Sequence, residues 1–182
     1  PLEKNIETLD FKRLPKNVSR KVKALLEGTF LDKKENVLLF GNPGSGKTHL
    51  VCAIAQELIR KGQRIYFSNT GLLVQDLLAA KRDLKLAKVF KRLSKYQALI
   101  LDDIGYVQQS RDEMEVLFTL LAERYEKGSV MITSNLPFSK WEIIFKDPMT
   151  TAAAIDRLVH HSVILELNIS SYRLEEAKKR RN

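Results

Sequence analysis

Gly41-Asn42-Pro43-Gly44-Ser45-Gly46-Lys47-Thr48 follows the apolar run Val37-Leu38-Leu39-Phe40 and leads directly into a helical pattern. The eight residues match G-x-x-x-x-G-K-[ST], in which glycines let backbone N–H groups converge on phosphate oxygens without obstruction by side chains. Lys47 supplies a point charge for the β- and γ-phosphates, the Thr48 hydroxyl is a ligand for Mg²⁺, and the following helix adds the partial positive charge of its N-terminus. Residues 47–61 place Leu50, Val51, Ile54, Leu58 and Ile59 on one side, with Gly62 as the stop. A glycine-rich turn without ligand is the alternative, but both contexts the motif requires, strand before and helix after, are present. The reading is a nucleotide site, with ATP and Mg²⁺ as its contents.

Working outward, five apolar runs read as strands: Val37–Phe40, Arg64–Ser68, Ala98–Leu101, Ser129–Thr133 and Val163–Leu167. They do not alternate cleanly, as expected of strands covered on both faces. Helical patterns separate them. Ser110-Arg111-Asp112-Glu113 is a capping box for a helix to about Lys127, stopped by Gly128, and Ser139-Lys140-Trp141-Glu142 repeats that signal for a shorter helix. Thr70 to Lys95 predicts one broken helix or two adjacent ones, with Leu72, Leu73, Leu77 and Leu78 on one apolar face and Leu84, Leu86, Val89, Phe90 and Leu93 on another. Strand–helix alternation makes this an α/β domain with a mostly parallel sheet. No internal repeat or Pro-rich linker interrupts it.

Ala98-Leu99-Ile100-Leu101-Asp102-Asp103 is a strand that delivers two carboxylates at its C-terminal edge, where open α/β sheets place ligands. In this Walker B pattern Asp102 holds the Mg²⁺ shell and Asp103 polarises the attacking water. Ile132-Thr133-Ser134-Asn135 ends the fourth strand, and an uncharged polar residue there orients water against the γ-phosphate, the role called sensor 1. Asn135-Leu136-Pro137 equally suits a plain loop.

The 182 residues suit one domain, and 44% apolar with 29% charged residues is ordinary globular composition. That excludes a collagen, a disordered tail and a disulfide scaffold. A single cysteine, Cys52, excludes an intrachain disulfide, and a cytoplasmic setting is expected. No apolar run approaches the ~18 residues of a membrane span, and Pro1-Leu2-Glu3-Lys4-Asn5 lacks the apolar stretch of a signal peptide. The chain begins without Met, so a fragment or a processed chain is expected.

The net charge of +9 favours anionic partners, nucleic acid before a membrane surface. Residues 81–95 hold seven basic residues and one acid, whereas residues 98–126 hold seven acids and two Arg. Lys81, Arg82, Lys85, Lys88 and Arg92 step by one, three, three and four residues, so much of the charge shares one stripe. Such a stripe suits DNA phosphates, with affinity but little sequence information; a solvated helix face is the alternative. No exposed aromatics interleave with it, so base stacking is not expected. The tail Lys178-Lys179-Arg180-Arg181 either extends the patch or stays disordered.

His49, His160 and His161 lack the Cys/His spacing of a zinc site. His49 reads as a packing or capping residue in the first turn of the P-loop helix, and the His160-His161 pair as a helix C-cap. Cys52, Trp141 and Phe145 read as core.

These residues together resemble IstB, a family of AAA+ helper ATPases of transposition whose near relative is the helicase loader DnaC. The segments that bear the likeness are Gly41–Thr48 with His49-Leu50, Leu101-Asp102-Asp103-Ile104-Gly105-Tyr106, Ile132-Thr133-Ser134-Asn135, Ile155-Asp156-Arg157-Leu158-Val159-His160-His161-Ser162 and Ser171-Tyr172-Arg173-Leu174. The likeness spans almost the whole chain in collinear order, and the His-His-Ser and Ser-Tyr-Arg segments favour IstB over DnaC. It implies an AAA+ P-loop NTPase with sheet order 5-1-4-3-2, a core over residues 1–168 with a basic initiator-type helical insertion at about 70–95, and a reduced lid over 169–182. An N-terminal DNA-binding region is implied to be missing from this chain. Gly41 to His49 then bind ATP, Arg157 becomes the arginine finger reaching a neighbour's ATP, and Arg173 a sensor-2-like residue. Asp10-Phe11 is implied to pack near the adenine.

A planar guanidinium at position 157 suits transferring phosphoryl charge. Asp156 is expected to pair with it while no ATP is bound, and an intrahelical ion pair on the helix surface is the alternative. The expected function is an ATPase that assembles on DNA, as a ring or helical filament, and assists a transposase. A DnaC-like loader of replicative helicase is the alternative. Asp103, where many relatives of the family have Glu, keeps a third reading open: a nucleotide-gated DNA scaffold with little hydrolysis.

Overall fold

The computed structural model describes residues 1–105 and 110–179. Five strands, β1 (Asn36–Gly41), β2 (Ile65–Asn69), β3 (Ala98–Asp102), β4 (Ser129–Ser134) and β5 (Ser162–Leu167), form one sheet in the order β2-β3-β4-β1-β5. Every neighbouring pair is parallel, with Leu38 level with Ile132 on one side and with Ile164 on the other. This is the order expected above, read from the opposite edge.

Successive strand residues point to opposite faces, and here both faces are apolar. Val37, Leu39, Ala98, Ile100, Met131, Leu165 and Leu167 bury against α1 (Lys16–Glu27), α2 (Thr29–Asp32) and α3 (Lys47–Arg60). Leu38, Leu99, Leu101, Val130 and Ile132 face the other layer, built from α4 (Thr70–Arg82), α5 (Leu86–Leu93), α6 (Arg111–Arg124), α7 (Glu142–Phe145) and α8 (Pro148–His160). Trp141 and Phe145 are fully buried in that layer, and Cys52 is buried in the first, as expected. Among the described residues the final element is the helix α9 (Tyr172–Lys179). No helix among the described residues is long and apolar enough to cross a membrane.

Local signals explain most boundaries. α6 starts with the full capping box: Ser110 accepts from the Glu113 N–H while the Glu113 carboxylate accepts from the Ser110 N–H. Those bonds hold the Glu113 carboxyl below its usual range. α6 stops at Arg124 rather than Lys127, and the role of Gly128 is different from a helix stop. An added Cβ there would collide with the guanidinium of Arg124. That guanidinium is buried and donates to the carbonyls of Tyr96, Gln97 and Ser129, each at 3.0 Å, tying α6 to the starts of β3 and β4. Burial lowers its pKa to about 10.

Three expectations need correction. Ser139 caps no helix; it sits inside a 3-10 turn, Phe138–Lys140, because Pro137 and the buried Trp141 fix that turn against the sheet. The expected short helix does form, as α7 from Glu142 with Trp141 at its N-cap and no side-chain cap bond, and a longer one starts at Pro148, with Asp147 as N-cap accepting from the Thr150 N–H at 2.7 Å. The apolar faces assigned to residues 70–95 include two errors: Leu72 is 68% exposed, and Leu84 is 93% exposed at the break between α4 and α5, with φ +56.

Candidate functional site

β1 ends at Gly41, and a Cβ at this position would lie 2.6 Å from the Leu167 carbonyl of neighbouring β5. Only glycine lets the chain leave the sheet so close to its neighbour. Asn42 and Pro43 form the exposed tip of the loop. Gly44, at φ +78, supplies a carbonyl that accepts from the Tyr172 N–H at 3.0 Å, which docks the start of α9 on the loop. Gly46 precedes α3 at φ +95, and nothing lies within 4 Å of where its Cβ would be. The open space therefore sits against the N-terminus of α3, the end of a helix that favours anions.

Lys47 is buried, and its Nζ donates to the Gly41 carbonyl at 2.8 Å and the Asn42 carbonyl at 3.0 Å. Ser45 Oγ is buried with no hydrogen-bond partner among the described residues. The Thr48 hydroxyl lies 3.0 Å from each carboxylate oxygen of Asp102, so the two sequence-predicted metal ligands meet across 54 residues of chain. The oxygens gathered here are those a hard cation such as Mg²⁺ takes. The residues present fit both nucleotide and metal: an open cradle at a helix N-terminus, a buried cation, and a carboxylate–hydroxyl pair.

Thr133, quoted in the sequence without a role, ties the site together. Its hydroxyl donates to Asp102 Oδ1 at 2.6 Å and accepts from the Asp103 N–H at 2.9 Å, while its carbonyl accepts from the Ile104 N–H. One side chain of β4 thus holds the carboxylate of Asp102 and the backbone of the Asp103 that follows it. The signal available was its strand position: β4 lies beside β3, and Thr133 is the last residue but one of the strand. Asp103 adopts φ +57, left-handed backbone that a non-glycine residue rarely takes, as the chain turns off the sheet. Asn135 lies just past β4. Its Oδ1 is buried without a hydrogen-bond partner among the described residues, and a Cβ on Gly105 would come within 3.0 Å of it, so the amide lies against the turn that follows Asp103. A buried acceptor without a donor marks a place where a water or ligand donor fits.

Other predicted residues fall elsewhere. The His49 ring Nε2 meets the Thr8 hydroxyl at 3.0 Å and the Asn5 carbonyl at 3.1 Å, holding the N-terminal segment along α3. Asp10 caps the 3-10 turn Phe11–Arg13 by accepting from the Lys12 N–H. Arg157 is half-buried on α8; its Nη1 donates to the Ala153 carbonyl at 3.2 Å and its guanidinium lies 5.2 Å over the Phe118 ring. No ion pair joins it to Asp156, because adjacent helix residues project in different directions. The side chain of Arg173 on α9 and those of the tail Lys178-Lys179-Arg180-Arg181 lie outside the described residues, as does Tyr106.

Lys81, Arg82, Lys85, Lys88 and Arg92 are all exposed. They do not form one helical stripe. The break at Leu84 leaves Lys81 and Arg82 at the end of α4, Lys85 in the joint, and Lys88 and Arg92 one turn apart on α5. Lys81 pairs with Glu115 at 3.4 Å and Lys85 with Asp83 at 3.9 Å, exposed pairs that contribute little stability.

Comparison with known proteins places these features in context. The family described as IstB-like ATP binding protein matches residues 1–180. A protein of Sinorhizobium fredii named for insertion-sequence ATP binding is 45% identical over 185 residues, covering 100% of this chain and 62% of its own length. The corresponding IS21 protein of Pseudomonas aeruginosa is 41% identical, covering 98% of this chain and 68% of its own length. The chain thus spans under two thirds of the Sinorhizobium relative. Among solved structures, the DnaC helicase loader superposes with a TM-score of 0.73 at 23% identity, over 92% of this chain and 97% of that one. AMPPCP-bound DnaA from Aquifex aeolicus gives 0.76 at 16% identity, over 99% and 55%. Those two likenesses establish the AAA+ fold.

Proposed function

The chain belongs to the IstB-like ATP-binding protein family, and on that premise we propose that it hydrolyses ATP with Mg²⁺ while assembled on DNA, and so assists a transposase in moving an insertion sequence. The observation that carries the hydrolytic reading is the linked set Thr48–Asp102–Thr133–Asp103 beside Lys47, with the unpaired Asn135 Oδ1 at its edge.

In this reading Lys47 exchanges its two loop carbonyls for β- and γ-phosphate oxygens, and the amides at the start of α3 hold the remaining phosphate charge. Thr48 and Asp102 would hold Mg²⁺, which would supply positive charge for the phosphate oxygens when bound. Thr133 keeps the Asp102 carboxylate aimed at that position. Asp103 takes the proton of the attacking water, and Asn135 Oδ1 accepts from the same water to fix its approach. Arg157 leaves Ala153 and Phe118 to reach the γ-phosphate bound by a neighbouring copy. Such a contact between unlike faces is head-to-tail and gives rings or helical filaments. The exposed basic residues of α4 and α5 track DNA phosphates.

The test is ATP turnover against DNA concentration, in the wild type and in Arg157→Ala. DNA-stimulated turnover is expected to fall by about 10³-fold or more in the variant, the scale of a trans-acting finger. Unchanged stimulated turnover removes the trans role. A wild-type single-turnover rate at the solution background, with DNA saturating, leaves a nucleotide-gated DNA scaffold instead.

A further inference from the structure

The turn after α6 meets the end of α8 at a cluster that the nucleotide site does not use. A carboxylate oxygen of Glu126 and one ring nitrogen each from His160 and His161 all lie within 4.8 Å of one another. The three residues are exposed, and the two imidazole rings stack with centroids 4.1 Å apart. Among the described residues this is the only such grouping of three. We propose that it is a site for a divalent transition-metal ion of the zinc class, bound by Glu126, His160 and His161 with a coordination position open to solvent.

Chemistry separates this site from the Thr48–Asp102 pair. Two imidazoles and one carboxylate suit Zn²⁺, Co²⁺, Ni²⁺ or Cu²⁺, whereas the oxygen-only pair suits Mg²⁺. Three protein ligands with one position free is the pattern of accessible zinc sites. Bond lengths of about 2.0–2.1 Å place tetrahedral ligand atoms roughly 3.3 Å apart. Exposed side chains close the remaining gap by small rotamer adjustments.

The surroundings hold the ligands in place. The Tyr125 hydroxyl lies 2.8 Å from His160 Nδ1, which fixes that ring and leaves Nε2 for the ion, as an outer hydrogen bond does for metal-bound histidines. The His161 carbonyl accepts from the Asn36 N–H at 2.7 Å, anchoring the second ligand to the edge of β1. Glu126 sits at φ +58, so its carboxylate is placed here at a backbone cost. The nearby cations are engaged elsewhere: Arg157 with Ala153 and Phe118, and Lys127 with Glu123 at 3.5 Å. His160 and His161 lack the Cys/His spacing of a zinc site, and the third ligand, Glu126, comes from another element, so no spacing along the chain signals the cluster.

The test uses untagged, chelator-stripped protein in excess Mg²⁺, which fills the oxygen site, titrated with Zn²⁺ by calorimetry and with Co²⁺ by visible absorption. One equivalent of either ion is expected to bind per chain. Affinity is expected to fall at least tenfold in Glu126→Gln and to be lost in the His160→Ala/His161→Ala double variant, whereas Asp102→Asn leaves it unchanged. Cu²⁺ bound to the wild type is expected to show electron-resonance coupling to two imidazole nitrogens, a readout that requires no variant. Absence of a stoichiometric ion in the wild type, full affinity in the double variant, or a Cu²⁺ spectrum without nitrogen coupling overturns the proposal.

Discussion

At the scale of single residues, the Thr133 hydroxyl holds two residues of the nucleotide site without belonging to any motif. It is the hydrogen-bond donor to Asp102 Oδ1 and the acceptor for the Asp103 N–H. Thr133→Val keeps the shape of the strand residue but removes both bonds, so that Asp102 keeps only its contact with Thr48. Groups one step removed from a metal ligand are worth about 10–100-fold in metal affinity or activity. Mg²⁺-dependent ATP turnover of Thr133→Val is therefore expected to fall by about that factor, with Thr133→Ser near wild type. Equal turnover in the valine variant would show that Thr48 alone orients Asp102. Lys47, Thr48 and Asp102 were legible because they are the chemical content of a motif. Thr133 was not, since a threonine near the end of a strand has no spacing signature and acquires its role from the strand next door.

At the scale of elements, Arg124 and Gly128 form a pair whose purpose only the packing reveals. The Arg124 guanidinium reaches three carbonyls at 3.0 Å from the β3 and β4 entries, and Gly128 leaves the space it occupies. Arg124→Met fills similar volume but removes all three bonds; the Gln97 carbonyl keeps the Ser129 N–H at 2.9 Å as a donor, and an acceptor left without one costs about 1–3 kcal/mol. A loss of about 3 kcal/mol or more in denaturant unfolding is expected; a loss below about 1 kcal/mol would mean that water replaces the guanidinium. The capping box of α6 was readable in four letters because its bonds are local. The Ser139 signal had the same letters and failed, because the burial of Trp141 and the fixed φ of Pro137 decided the backbone there. Likewise the break at Leu84 divided a charge pattern that counting along the chain had joined.

At the scale of the whole molecule, most of the surplus positive charge lies on exposed residues between 81 and 95, at the end of α4 and along α5. Lys88 and Arg92 are exposed, one helical turn apart, and engaged in no ion pair among the described residues. If this face tracks DNA phosphates, replacing both with Gln reduces the slope of log affinity against log salt by nearly one per residue, for any DNA sequence. An unchanged slope assigns the contact to another face. The seating of α9 on the P-loop, through the Tyr172 N–H and the Gly44 carbonyl, and of the N-terminal segment on His49 also emerge only at this scale, since each joins residues more than 40 positions apart.

The P-loop, the Asp102-Asp103 strand end and five both-faces-apolar runs determined the α/β fold and the core of the nucleotide site before any coordinates, because each is a local pattern with one physical solution. The sheet order came with the family likeness, and the parallel pairings bear it out. What the tertiary structure alone decided is where distant groups meet. Thr133 gained Asp102 and Asp103 as partners, Arg157 was turned from Asp156 onto Phe118, and Glu126 was brought to His160 and His161. Those meetings depend on how helices settle on a finished sheet, and no spacing along the chain encodes them.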